Sequence, residues 1–151
     1  MKQVIMALAW SLSLAFTAQA KDVDVELGKD AFETCRGCHS TPNYSNVAPV
    51  FYVPKIGGQR KAYVVSALTA YKHEKRARTS MLANAYDLNE KTLEAISLYI
   101  EASAGKPTKA AYTSGDAKKG KKLAEACTAC HTNDLEDGAT GPILAGQHGN
   151  Y

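Results

Sequence analysis

Apolar residues in this chain recur every three or four positions and almost never every second one. From Lys61 to Lys72, Tyr63, Ala67, Leu68 and Tyr71 fall at helical spacing. From Glu90 to Ala102, Leu93, Ile96, Ser97 and Ile100 form one stripe, and the stretch between these two helices, which holds Met81, reads as a loop. Asn89 is a good N-cap for the later helix, and Leu88 can staple onto Leu93 across the cap. An earlier helix is expected over about Val25 to Thr34, placing Gly28 and Phe32 one turn apart on one face. No stretch alternates with period two for long enough to argue a strand, so the predicted fold is all-α.

The first 20 residues follow a different pattern. Lys2 supplies a positive start, Val4 to Phe16 is mostly apolar, and Ala18-Gln19-Ala20 is a small-x-small cleavage site, which together predict a signal peptide over 1–20. Ser11 and Ser13 interrupt an apolar run already short for a spanning helix, and an uncleaved anchor is the alternative reading. No other hydrophobic span follows, so the exported protein is expected to be soluble or peripherally attached to a membrane. It keeps 17 of the 18 Lys and Arg and all 15 Asp and Glu, a formal balance of +2. That modest balance argues against a nucleic-acid partner, which calls for a far more basic and clustered charge. The short runs Lys72 to Arg78 and Lys118 to Lys122 read as solvated faces, with docking patches for an acidic redox partner as the sharper alternative.

The chemistry lies in a pentapeptide that occurs twice, Cys35-Arg36-Gly37-Cys38-His39 and Cys127-Thr128-Ala129-Cys130-His131. Two thiols three positions apart can form thioethers to the two vinyl groups of one porphyrin, while the adjacent imidazole reaches the iron, so each copy reads as a c-type haem attachment site. All four cysteines of the chain are used this way. A Cys-x-x-Cys pair alone would equally suit half a zinc site or a thioredoxin-type redox pair. Those readings leave the following histidines unexplained, and the 92-position offset of the pairs is far from the tight spacing of a zinc ribbon.

The repetition extends beyond the motif. Gly28 and Gly120 each stand seven residues before the first cysteine, and Pro54, Gly58, Gln59 and Tyr63 match Pro142, Gly146, Gln147 and Tyr151 at a constant offset of 88. The loop after the second motif is therefore four residues shorter than the first. This divides the exported chain into a first domain over 21–102, a linker over 103–115 containing Gly105, Pro107, Ser114 and Gly115, and a second domain over 116–151. Tyr151 matches Tyr63, so counterparts of Val64 to Ala102 are not found in the second unit.

The doubled motif, the run Pro54 to Gln59 with its counterpart Pro142 to Gln147, and Leu68-Thr69-Ala70-Tyr71 followed by Arg76, Arg78 and Met81 resemble the two-haem cytochrome c4 family of class I cytochromes c. The resemblance implies two covalent haems, on Cys35 and Cys38 and on Cys127 and Cys130. His39 and His131 would be the proximal iron ligands and Met81 the distal ligand of the first haem. The Pro54 and Pro142 carbonyls would accept the imidazole N–H of these histidines. Gly28 would let the first helix approach the last closely, with Tyr99 or its neighbours near Phe32. The implied role is a non-enzymatic electron carrier of the bacterial periplasm, serving a terminal oxidase, a quinol-oxidising complex or a dehydrogenase subunit.

In the second unit the pattern departs from the family, since no methionine follows His131. Either the sequence is a piece of a longer protein, the reading preferred here, or the second iron lacks its usual sixth ligand. His148, which aligns with Arg60, reads as an exposed loop residue rather than that ligand. A fragment would leave Leu123, Ile143 and Leu144 short of packing partners. Two other functions stay open: the electron-accepting subunit of a periplasmic dehydrogenase such as a flavin-linked sulfide dehydrogenase, and an enzyme or gas sensor at an open iron. Plainer roles exist for the side chains nearby: Met81 as a gap-filling core residue, His73 as a solvent-facing one, Tyr63 and Tyr71 as amphipathic core residues with their hydroxyls at an edge.

Overall fold

A computed structural model describes residues 24–42, 44–47, 50–103, 115–132, 139–149 and 151. The expected signal peptide over 1–20 and nearly all of the expected linker lie outside these residues. Helix α1 covers 24–31, and the chain turns briefly at Phe32 before α2, Glu33–His39, carries the whole first cysteine motif. The expectation of one helix ending near Thr34 is thus corrected: the helix breaks earlier and a second one resumes through the motif. That arrangement suits the motif, because helical spacing puts Cys35, Cys38 and His39 on one side.

Helices α3, Lys61–Lys72, and α5, Glu90–Ala102, match the predicted spans. Asn89 caps α5 by accepting a bond from the Thr92 N–H at 2.9 Å, and Leu88 packs against the core as a staple should. Between them lies α4, Thr79–Ala85. Met81 therefore sits on a short helix, not in the loop expected for it. A small antiparallel hairpin, β1 (Ser45–Val47) with β2 (Val50–Tyr52), pairs Ser45 with Tyr52 and Val47 with Val50. It is a local addition to an all-helical scaffold. The second unit contributes α6, Ala117–Ala124, capped by Asp116 through the N–H groups of Lys118 and Lys119, and a 3-10 turn over Glu125–Cys127.

The core is built where α1, α3 and α5 meet, from Phe32, Val64, Ile96 and Ile100, with Leu68, Ile56 and Tyr99 against it. Close approach of α1 to α5 depends on Gly28. A Cβ there would lie 2.0 Å from the Ala95 carbonyl oxygen and 2.9 Å from Tyr99 Cβ. With nothing in the way, the Phe32 and Tyr99 rings pack at 5.3 Å between centroids. Gly120, its counterpart on α6, has nothing within 4 Å of the same position among the described residues.

The reading of both basic runs as solvated faces holds for only one of them. Lys118 to Lys122 is exposed throughout. In the other run, Lys72 Nζ donates to the Leu88 carbonyl. Glu74 takes φ 57°, which bends the chain after α3 so that Arg76 folds back over the Tyr71 ring at 4.8 Å.

Candidate functional site

A cavity of about 570 Å³ opens between α2, α3, α4 and the Pro54 loop, within the range of roughly 300–1,000 Å³ common for sites that hold an organic cofactor. Cys35, Cys38, His39 and Met81 all line it, with Pro54, Leu68 and Ile96 among the apolar walls. His39 donates from Nδ1 to the Pro54 carbonyl at 2.8 Å. The carbonyl can only accept, so Nδ1 carries the proton and Nε2 is the nitrogen left for a metal. Burial holds the His39 imidazole below its ordinary pKa, against a smaller opposing push from the Pro54 bond, and so favours the neutral ring that a metal requires. Burial likewise pushes the Cys35 thiol up. The donor set of two thiols, one oriented imidazole and one thioether around an apolar cavity fits a covalently attached haem.

The second motif repeats the key bond. His131 donates from Nδ1 to the Pro142 carbonyl, also at 2.8 Å. Gly141 makes this possible, since a Cβ on it would lie 2.6 Å from the Cys130 carbonyl oxygen and 3.0 Å from His131 Nδ1. The sequence offers no signal for this glycine, because its counterpart in the first unit is Val53. Cys127 and Cys130 are exposed, as are Leu123 at 72% and Leu144 at 52%. Ile143 differs from expectation: it is half-buried at the junction with the first unit and lines the first cavity.

That junction is where the repeat becomes geometry. Gly58 and Gly146 take φ 76° and 77°, each in a turn closed by the following glutamine's N–H, to Ile56 and to Leu144. Positive φ is what glycine supplies at such a place. Gln59 then brackets the backbone of Ile143, donating from Nε2 to its carbonyl at 3.1 Å and accepting its N–H on Oε1 at 2.8 Å. Gln147 brackets Lys55 in the same way, at 2.8 and 3.0 Å. Since Lys55 and Ile143 correspond under the same offset of 88, the two units face each other about a local two-fold. Arg76 adds a bridge, donating to the hydroxyls of Tyr63 at 3.0 Å and of its counterpart Tyr151 at 2.9 Å. Replacing Gln147 by alanine is expected to cost about 1–2 kcal/mol of stability and to speed amide exchange at Lys55, as read by urea melts and hydrogen exchange.

His148 does not line the cavity. It is half-buried with its ring 4.8 Å from that of Tyr52, so it is a packed junction residue and not the exposed one expected. His73 is exposed at the end of α3, as expected.

No protein-family model matches the chain. A curated relative, cytochrome c-552 of Acidithiobacillus ferridurans, is 28% identical over 130 residues, covering 78% of this chain and 56% of the relative. The chain thus spans little more than half the length of the curated relative it matches. The cytochrome c4 structure of Acidithiobacillus ferrooxidans, described as supporting a complex-induced tuning of electron transfer, aligns with TM-score 0.56 and 29% identity over 78% of this chain and 74% of that one. Together these two likenesses support a cytochrome c4-like class I cytochrome c family. The thiosulfate dehydrogenase TsdBA of Marichromatium purpuratum aligns with TM-score 0.64 and 26% identity, over 82% of this chain and 30% of that one. These neighbours share the all-helical cytochrome modules of this chain.

Proposed function

We propose that this protein is an exported two-haem c-type cytochrome that passes single electrons between redox proteins of the bacterial periplasm. The observation that carries the proposal is the convergence of Cys35, Cys38, an oriented His39 and Met81 on one apolar cavity. Cys35 and Cys38 would hold a first haem covalently, with His39 on one side of the iron and Met81 on the other. Cys127, Cys130 and His131 would hold a second. A haem so bound supplies reversible one-electron exchange, with Met and His ligation favouring a high potential. The chain's own residues wall the first site with apolar side chains, and the Pro54 carbonyl fixes the His39 ring and would make that ligand more electron-rich. The leader over 1–20 would direct export, and no helix among the described residues is long and apolar enough to cross a membrane.

Suitable partners are a terminal oxidase, a quinol-oxidising complex or a dehydrogenase. The likeness to thiosulfate dehydrogenase TsdBA favours a second reading, in which the chain is the electron-accepting cytochrome part of a periplasmic dehydrogenase. Isolation of the native protein with or without a bound dehydrogenase subunit separates the roles, and spectroelectrochemical titration checks its redox activity. A carrier should be oxidised and reduced reversibly and should not turn over thiosulfate or sulfide by itself. Turnover by the isolated chain would contradict the carrier role.

A further inference from the structure

Among the described residues, the contacts that anchor the two proximal loops differ. In the first unit the loop from His39 to Pro54 spans 15 positions and is pinned within itself, by the β1–β2 hairpin and by the Val53 N–H donating to the Tyr44 carbonyl at 2.8 Å. In the second unit the loop from His131 to Pro142 spans only 11. Its two ends are gripped from outside, by Arg60 of the first unit. Arg60 Nε donates to the Gly141 carbonyl at 3.1 Å, and Nη2 donates to the Thr132 carbonyl at 2.9 Å and to Thr132 Oγ1 at 2.7 Å. Thr132 directly follows His131 and Gly141 directly precedes Pro142, so the guanidinium spans the two residues that flank the His131 to Pro142 bond.

We propose that Arg60 is a positioning residue for the second haem site, supplied by the first unit, which sets the orientation of the His131 imidazole by clamping Thr132 to Gly141. Three features support it. Arg60 is only 4% exposed, so its grip is shielded from competing water. Its contacts use the planar fork of a guanidinium, which an ammonium cannot reproduce. The arrangement is also not reciprocal: His148, at the matching position of the second unit, packs its ring on Tyr52 instead. The local two-fold of the glutamines is therefore broken at the next residue: Arg60 grips the second proximal loop, whereas His148 packs on Tyr52.

The inference rests on the two-haem reading, and intact mass of the unsubstituted protein checks that reading separately. Given two haems, the ring-methyl hyperfine shifts of the oxidised protein report the orientation of each proximal imidazole. Second-haem signals are assigned against the full-length single-haem protein Cys127→Ser, Cys130→Ser. Arg60→Ala should displace and broaden the second-haem methyl resonances while those of the first haem stay in place, and Arg60→Lys should not restore them. Unmoved second-haem signals, equal movement of both haems, or full restoration by lysine would each overturn the clamp, the last by showing that charge alone suffices. If Arg60→Ala does not accumulate, Thr132→Val removes one acceptor and should displace the same resonances by less. No displacement in that variant overturns the inference as well.

Discussion

Met81→Ala should abolish the near-infrared sulfur-to-iron band of the oxidised first haem and lower its reduction potential. Axial-ligand choice spans roughly 0.8 V among haem proteins, so a downward shift on the order of 0.1 V or more is expected. The reason is electronic: a soft thioether favours the reduced iron over the oxidised one more than imidazole or water does. Met81 is half-buried on α4 and lines the same cavity as His39, so the substitution opens one face of that cavity and leaves the Pro54 anchor untouched. Met81→His should keep a low-spin iron at lower potential. Absorption spectra and redox titration of the two variants read both effects, and an unchanged spectrum in the alanine variant would place the ligand elsewhere.

Gly28→Val should be the most destabilising single change in the first unit, by about 3 kcal/mol or more, because overpacking against backbone leaves nothing flexible to yield. The added Cβ alone would sit 2.0 Å from the Ala95 carbonyl oxygen and 2.5 Å from its carbon. Relief requires α1 and α5 to separate, which also parts the Phe32 and Tyr99 rings. Gly120→Ala on α6 supplies the control. It meets nothing within 4 Å among the described residues, and it removes a mid-helix glycine, so it should be neutral or stabilising by up to about 1 kcal/mol. Denaturant midpoints of the two variants make the comparison; equal losses would contradict the close crossing at Gly28.

Features with a local cause are legible in the sequence. The spans of α3 and α5 follow from their own apolar stripes and, for α5, from Asn89, and spacing alone pairs Gly28 with Gly120, though not that only Gly28 is tightly packed. Short elements held by their surroundings are not legible. Thr79–Ala85 is too brief to show a period, and it is helical where it packs on α3, so the sequence places Met81 in a loop. The hairpin at Ser45–Tyr52 offers three residues a side. In α2 the cysteine motif itself is helical, although Gly37 and its polar neighbours give little helical pattern. The junction is the clearest case: the repeat identifies Gln59 and Gln147 as equivalents, but not that each reaches across 84 to 92 positions to the other unit. Arg60 and Gly141 carry no signal of their own, because their role exists only once the two loops meet. His148 and Ile143 differ from expectation for the same reason.

On the proposed reading, one chain should bind two haems covalently, through two copies of one motif. Intact mass of the mature protein, made in a host competent for c-type haem attachment and treated with acid acetone, tests it directly. The expected mass is that of a polypeptide starting at Lys21 with two haems still attached, falling to one in the Cys127→Ser, Cys130→Ser variant. A mass showing one haem or none in the unsubstituted protein would contradict it.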